Sequence, residues 1–357
     1  MPSISVIVPV RNEAKGIEAA LRALLTQDFP REQFEVVVAD GASTDETVPI
    51  VRRLQSEFDN LKLVFNAGRL SSVARNIAIR HAKMDVAVIV DGHCTVPDRR
   101  YLANLSDAFE RSGADCLGRP QPLDAPNPTP FQEAVSIARA SRLGHNPDSD
   151  IFSDEAKFVD PQSTAVAYSR NVFHRIGLFD QAFDACEDVE FNQRVYRAGF
   201  TCWFSPDVKV LYHPRSNLKG LFYQLSRYGM GRARLAFKDP KSLTPPALVP
   251  PLFMLWVAIG WLPALLLAEW GLLWLGSILA YMLVLCGAGV LLGRKKGWSV
   301  ARRVPLVFAG IHFGFAWGFL KEVHAAMRFR LTSRRRMCYS ALIPREASCS
   351  SARVSPS

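Results

Sequence analysis

Read from the amino terminus, the chain alternates short apolar runs with longer stretches of helical spacing. "ISVIVPV" (4–10) is apolar and β-branched without polar alternation, the pattern of a buried strand. "EAKGIEAALRALLTQ" (13–27) places Ile17, Leu21, Leu24 and Leu25 on one helical face. "FEVVVAD" (34–40) predicts a second strand ending in an acid, and "STDETVPIVRRLQSEF" a helix opened by a Ser/Thr cap signal. "LKLVF" (61–65), "SSVARNIAIRHAK" and "DVAVIVD" predict a third strand, a third helix and a fourth strand. This rhythm predicts a parallel sheet with helices on both faces. Ligands of such sheets bind beyond the carboxyl ends of the strands, where Asp40 and Asp91 both fall.

The pattern then loosens. "GRPQPLDAPNPTPF" (118–131) carries five prolines and reads as loop. Residues 158–200 read as a short strand, a turn and a helix from about Asp188, and "TCWFSPDVKVLYH" as a hairpin or paired strands. From residue 248 the pattern becomes apolar all round. Segments 251–270 and 271–293 each reach the roughly 20 residues that a bilayer requires, with Glu269 marking a tight turn between them. Segment 304–320 is shorter and stays open between a short span and an interfacial helix.

Charge sharpens that division. The net charge of +10 is concentrated around the apolar segments, at Arg294, Lys295, Lys296, Arg302 and Arg303, and again at Arg328, Arg330 and residues 334–336. Basic flanks of this kind belong on the cytoplasmic face beside anionic lipid, which argues against nucleic acid as the partner. Seven cysteines without a C-x-x-C pair predict a reducing compartment. The first apolar run meets Pro9, Arg11 and Glu13 too soon for a signal peptide. The expected organisation is a cytoplasmic catalytic domain over 1–236, a proline-rich linker over 237–250, a multi-pass inner-membrane region of two to three helices over 251–323, and a basic, serine-rich disordered tail over 324–357.

No G-x-G-x-x-G follows the first strand, and no G-x-x-x-x-G-K-[ST] occurs, so dinucleotide and P-loop chemistry lose their main support. Four other features fall in order instead: "VPVRNE", "ADGASTDET", "VDGHC" and "CEDVEF", with "ARNIAI" among them and "YRAGF" just after. A carboxylate at the end of the second strand, Asp40, can accept an imide N–H of uracil, although an acid there can also cap the next helix. Asp91 and His93 lie two apart, so in extended backbone both face one side and can share an ion. An imidazole in such a pair tilts selection from Mg2+ toward Mn2+. His213 in "VLYHP" is a further possible ligand, or simply packs beside Tyr212.

This order and wording, over roughly residues 4–213, resembles the inverting family 2 glycosyltransferases of GT-A fold. Within them it is most similar to the membrane-bound exopolysaccharide enzymes of the succinoglycan-biosynthesis ExoA type. The resemblance implies a Rossmann-like mixed sheet with helices on both faces, followed by transmembrane helices. It implies a UDP-sugar donor bound by Pro9, Arg11, Glu13, Asp40, Arg69, Arg75 and Asp91, with Asn76 beside them. It implies a divalent metal, Mn2+ or Mg2+, at Asp91 and His93. It implies Asp188 as the base that deprotonates the acceptor hydroxyl, with Glu187 in support. "QLSRYGMGRAR" stands where processive synthases carry Q-x-x-R-W, with Tyr228 in place of tryptophan, which argues against processivity. Gln224, Arg227 and Tyr228, with Arg232 and Arg234, are candidates for holding acceptor or leaving-group phosphates, or for docking the domain on membrane lipids. The implied reaction moves a hexose to a lipid-linked saccharide in surface-glycan synthesis, with other assembly proteins as further partners. A polyprenyl-phosphate glycosyl synthase and a non-catalytic scaffold of a polysaccharide assembly complex are the alternatives.

Overall fold

The computed structural model describes residues 1–144 and 150–342. Its first half is β1 (Ile4–Val10), α1 (Ile17–Leu25), β2 (Phe34–Asp40), α2 (Thr47–Gln55), β3 (Leu61–Phe65), α3 (Ser71–His81) and β4 (Val86–Ile89). Strands β3, β2, β1 and β4 lie side by side in that order, all parallel. Every residue of β2 is buried, as continuous apolar strands in a parallel sheet require. Pleating splits β1 between the two faces. Ile4, Val6, Val8 and Val10 pack with Ile17, Leu21 and Leu24 of α1, whereas Ile7 packs with Ala74 and Ala78 of α3.

Next come β5 (Cys94–Thr95), α4 (Tyr101–Ser112), β6 (Cys116–Gly118), α5 (Pro130–Arg139), β7 (Lys157–Val159), α6 (Pro161–Thr164), β8 (Ala165–Ser169), α7 (Arg170–Ile176), α8 (Glu187–Arg197), β9 (Cys202–Phe204) and β10 (Leu211–Tyr212). Strands β8, β6, β9 and β7 extend the sheet beyond β4, and β8 runs antiparallel to both β4 and β6. The four strands of the strand–helix rhythm are thus parallel as expected, and the whole sheet is the mixed one that the resemblance implies. The expected hairpin over "TCWFSPDVKVLYH" is absent. β9 pairs with β6 and β7 in the main sheet, while β10 pairs antiparallel with β5 in a separate ribbon. Both strands are too short for alternation to show their partners. That ribbon carries the chain from β10 back to the end of β4, where the site lies.

The last part is α9 (Leu218–Lys238), α10 (Pro245–Ile259), α11 (Ala268–Gly293), α12 (Trp298–Ala301) and α13 (Val304–Leu342). Three stretches are long and apolar enough to cross a membrane: Pro245–Leu265, Ala268–Lys296 and Trp298–Phe329. Leu272, Leu273, Leu283 and Leu291 of α11 are exposed, as side chains meant for lipid would be. The proline-rich segment is shorter than the expected linker, because Pro245 and its neighbour open α10, a place where the missing N–H costs nothing. The turn before α11 precedes Glu269, which sits in that helix's first turn and faces the positive end of its dipole. α13 continues to Leu342, into the segment expected to be disordered; residues 343–357 of that tail lie outside the described residues.

The sheet domain and the apolar C-terminal helices are not independent. Ala134, Val135 and Ala138 of α5 and Leu221 and Leu225 of α9 share one apolar cluster with Leu285 of α11 and Val304, Val307, Phe308 and Ile311 of α13. α9 lies along α13 at glycine contacts. A Cβ on Gly229 would meet Phe315 O at 2.1 Å, and one on Gly318 would meet Ser226 O at 1.8 Å. Small residues at such positions let two helices approach backbone to backbone.

Candidate active site

The carboxyl ends of β1, β2 and β3 and the start of α8 share a backbone feature. Asn12, Ala42, Arg69 and Cys186 all have φ between 55° and 60°, and among the described non-glycine residues only Asn127 shares that sign. Left-handed backbone at residues with a Cβ is held against its preference, and such strain clusters at ligand sites. Here the surrounding hydrogen bonds hold it. Thr44 N–H donates to Asn12 Oδ1 at 2.8 Å, Asn12 N–H to Ser43 Oγ at 2.9 Å, and Glu13 N–H to Thr47 Oγ1 at 2.8 Å. The loops after β1 and β2 are thereby fixed to each other.

Asp40, last residue of β2, is 3 % exposed. Its Oδ2 accepts from Ser43 N–H at 3.0 Å, and its Oδ1 is buried without a partner. So the cap reading is satisfied by one oxygen and leaves the other free for a ligand N–H. Pro9 is half-buried within β1, and Arg11 and Arg69 are exposed at the rim.

Beyond β4 the chain turns at once. Cys94 N–H donates to Asp91 O at 3.0 Å, so Asp91 and His93 reach one side through a turn and not, as expected, through extended backbone. Gly92 makes this possible, since a Cβ there would stand 2.6 Å from Val10 Cγ1. Ligand atoms of Asp91, His93 and Cys94 lie within 4.8 Å of one another. Burial pushes the Cys94 thiol up, so it stays protonated and is a poor ligand. Burial also pushes Asp91 upward, but Arg75, His93 and the Tyr212 hydroxyl outweigh it and hold the carboxyl below its ordinary value. Tyr212 Oη donates to Asp91 Oδ2 at 2.8 Å. His93 Nδ1 lies 3.3 Å from Glu13 Oε1; that contact outweighs burial and, with Asp91, raises the imidazole above its ordinary value. An ionised carboxylate and an imidazole two residues apart suit a divalent transition ion.

Arg75 of α3 is the hub. Its Nη2 lies 3.2 Å from Glu187 Oε1 and 3.7 Å from Asp91 Oδ1, and its Nε is buried without a partner. Glu187 is 6 % exposed. Burial raises its carboxyl, Arg75 counters that only in part, and Asp188 adds to the rise. Asp188, the next residue, is exposed. The arrangement sets an acid of the β4 turn and an acid of α8 on one buried cation, with the exposed Asp188 carboxylate, which among the described residues accepts only from Val189 N–H at 2.8 Å, beside it.

The other expected site residues separate. Asn76 brackets the Phe179 backbone, accepting its N–H at 2.9 Å and donating to its carbonyl at 2.8 Å, a structural role in place of the diphosphate contact expected. His213 Nε2 lies 3.2 Å from Thr95 Oγ1, outside the Asp91–His93 cluster. Arg227 pairs with Asp184 at 3.2 Å, and Arg234 with Glu322 at 2.8 Å. Arg232 donates to Ser242 O at 3.4 Å. These arginines dock α9 on its neighbours, and the carboxylates on Arg227 and Arg234 stand where phosphate contacts were expected. The Tyr228 ring packs 6.1 Å from that of Phe315, and Gln224 lines a small cavity with His93 and His213.

Sequence reasoning missed Tyr212 and Arg119. Arg119 is 1 % exposed and donates to Ile89 O at 2.9 Å, which places a fixed cation beneath the end of β4.

Residues 5–177 match the family described as Glycosyl transferase family 2. The chain is 28% identical over 326 residues to the succinoglycan biosynthesis protein ExoA of Rhizobium meliloti, covering 89% of this chain and 94% of that one. It is 26% identical over 243 residues to a dolichyl N-acetyl-alpha-D-glucosaminyl phosphate 3-beta-D-2,3-diacetamido-2,3-dideoxy-beta-D-glucuronosyltransferase of Methanococcus voltae, covering 67% of this chain and 75% of that one. Among solved structures, the mannosyltransferase PcManGT from Pyrobaculum calidifontis, in complex with GDP-Man and Mn2+, is similar with a TM-score of 0.57 at 24% identity. That match covers 89% of this chain and 87% of the other, and it gives the fold as the GT-A type.

Proposed function

We propose that this chain, a glycosyltransferase carrying a Glycosyl transferase family 2 domain over residues 5–177, moves a hexose from a UDP-sugar to a lipid-linked saccharide, with inversion, in exopolysaccharide or related surface-glycan synthesis. The observation that carries this reading is the Arg75 bridge between Asp91 and Glu187. It supports a donor diphosphate on the Asp91 side and an acceptor on the α8 side, with the anomeric carbon between them.

The residues divide the work as follows. Asp40 Oδ1 takes a base N–H through the lone pairs that nothing else occupies. Asp91 and His93 would hold the metal, which when bound would neutralise charge growing on the leaving diphosphate. Arg75 adds a fixed positive charge there, and being already desolvated it needs no reorganisation during reaction. Asp188 accepts the proton of the acceptor hydroxyl as its oxygen bonds to the anomeric carbon and the bond to the diphosphate breaks on the opposite face. Glu187 holds Arg75 in place. The names of the two relatives, one in succinoglycan biosynthesis and one acting on a dolichyl-linked sugar, support a lipid-linked acceptor. The apolar helices support a place in the cytoplasmic membrane, with the sheet domain on the basic, cytoplasmic side.

A donor screen tests the reading. Membranes containing the protein receive labelled UDP-hexoses and, because the similar mannosyltransferase binds GDP-Man, labelled GDP-mannose. Label passing from a UDP-sugar into the lipid extract is the expected result. Label from GDP-mannose alone would overturn the donor assignment, and label staying in water-soluble product would overturn the acceptor assignment.

A further inference from the structure

A small cavity of about 40 Å3 opens where the sheet domain meets the membrane helices. Its walls come from four places: His93 of the β4 turn, Leu123 of the loop after β6, Tyr212 to Arg215 at the end of β10 and beyond, and Val135, Arg139, Leu221 and Gln224 of helices α5 and α9. Val135 and Leu221 also belong to the apolar cluster shared with α11 and α13. The cavity therefore lies on the membrane side of the Asp91–His93 turn.

Its charge is one-sided. Two guanidinium groups and two imidazoles line it, and no carboxylate does. Arg139 is the unusual member. Its Nε is buried without a partner, and no ion pair reaches its guanidinium among the described residues. Burial pulls its basicity down, and only the Tyr228 hydroxyl opposes that. Arg215 is held at the rim by Gln224, its Nε donating to Gln224 Oε1 at 3.3 Å. An unpaired cation in such a place costs stability unless an anion joins it. The volume exceeds the roughly 10–15 Å3 that one water needs, so a tetrahedral oxyanion can enter. Guanidinium forks match the paired oxygens of phosphate. His93 is shared with the donor side, but neither Asp91 nor Arg75 lines the cavity, so it adjoins the donor diphosphate rather than enclosing it.

We propose that this cavity receives the phosphate of the lipid-linked acceptor, held by Arg139 and Arg215, with Gln224 and His213 as further hydrogen-bonding groups. The proposal rests on the acceptor class argued above and specifies how that acceptor is held. Its prenyl tail would run along α9 and α13 into the bilayer while its saccharide lies beyond His93.

The test uses the full chain in detergent micelles with UDP and Mn2+ saturating, so that the donor site is filled. Farnesyl monophosphate is titrated by calorimetry, with farnesol and inorganic phosphate as separate arms. Farnesyl monophosphate should bind, farnesol should not, and inorganic phosphate should bind at least tenfold more weakly. Arg139→Gln should weaken farnesyl monophosphate at least tenfold while UDP affinity stays within twofold, which also shows that the variant is folded. Arg139→Met removes a half-buried cation whose Nε is buried without a partner, so it should melt no lower than wild type and show the same loss. Unchanged farnesyl monophosphate affinity in both variants overturns the proposal. Inorganic phosphate binding as tightly as farnesyl monophosphate overturns the lipid assignment. Arg139-dependent binding alongside a donor screen that labels no lipid would unseat the transfer reading and leave this pocket standing.

Discussion

Arg75 and Glu187 meet at 3.2 Å although 112 residues separate them in the chain, and both are more than nine-tenths buried. Removing the cation would leave two acids, Glu187 and Asp91, facing each other's charge without compensation. Breaking one partner of a buried pair costs about 3–5 kcal/mol. Arg75→Met should therefore lower the melting temperature clearly and abolish transfer. Arg75→Met combined with Glu187→Met should recover part of the lost stability but none of the activity. Additive losses in the double variant would show that the two side chains do not act as a pair.

Asp188→Asn keeps shape and hydrogen bonding but cannot take a proton. Transfer should fall by about 10² to 10⁴, the usual share of a general base. UDP affinity by calorimetry should stay near wild type. Lost affinity with normal turnover of bound donor would move Asp188 into the nucleotide site.

Much of this site was legible because periodicity stops at an acid. The runs ending at Asp40 and near Asp91 announced strand ends, and the acids opening α8 announced a helix start. What was not legible came from pairing over long distances. Tyr212 reaches Asp91 only because a two-residue strand at Cys94–Thr95 pairs with another at Leu211–Tyr212. Arg139 in "SIARASR" looks like any solvated helix arginine until α5 is seen packed against the apolar helices α11 and α13. Arg227 looked free for phosphate, and the Asp184 that claims it lies 43 residues earlier. Charge partners so far apart leave no local pattern.

Chelator tests the metal. Excess EDTA should stop transfer, and Mn2+ should restore it at least as well as Mg2+, because one donor is an imidazole. His93→Asp should shift that preference toward Mg2+. Full turnover in excess chelator would remove metal from the reading.

Glu35 tests the fold at the opposite end of the sheet. Burial pushes its carboxyl up, but Lys62, Ser5 and the Lys83 N–H outweigh burial and hold it below the ordinary value. A lowered folded value means the charged form stabilises the fold above the unfolded value near 4.3. That contribution is lost as pH falls through the folded value. Glu35→Gln should cost about 1–3 kcal/mol at pH 7, seen as a lower melting temperature. The gap to wild type should close below about pH 4. A gap independent of pH would assign the loss to packing.

Gly231 ties α9 to the start of α8, which carries the proposed base. A Cβ there would stand 2.5 Å from Ala185 O and 2.8 Å from Cys186 Sγ. Neither can yield cheaply, since one is backbone and the other belongs to a residue already held at φ 60°. Cys186 immediately precedes Glu187 and Asp188, so Gly231→Ala should displace the start of α8. A misplacement of about 1 Å can cost about 10²-fold in rate. Transfer should fall by roughly that factor, while UDP affinity, assigned above to Asp40 across the site, stays within twofold. Gly276→Ala in α11 is the matched control, because nothing lies within 4 Å of a Cβ there, and it should be silent. Normal transfer by a folded Gly231→Ala enzyme would show that α9 anchors the domain without setting the position of Asp188.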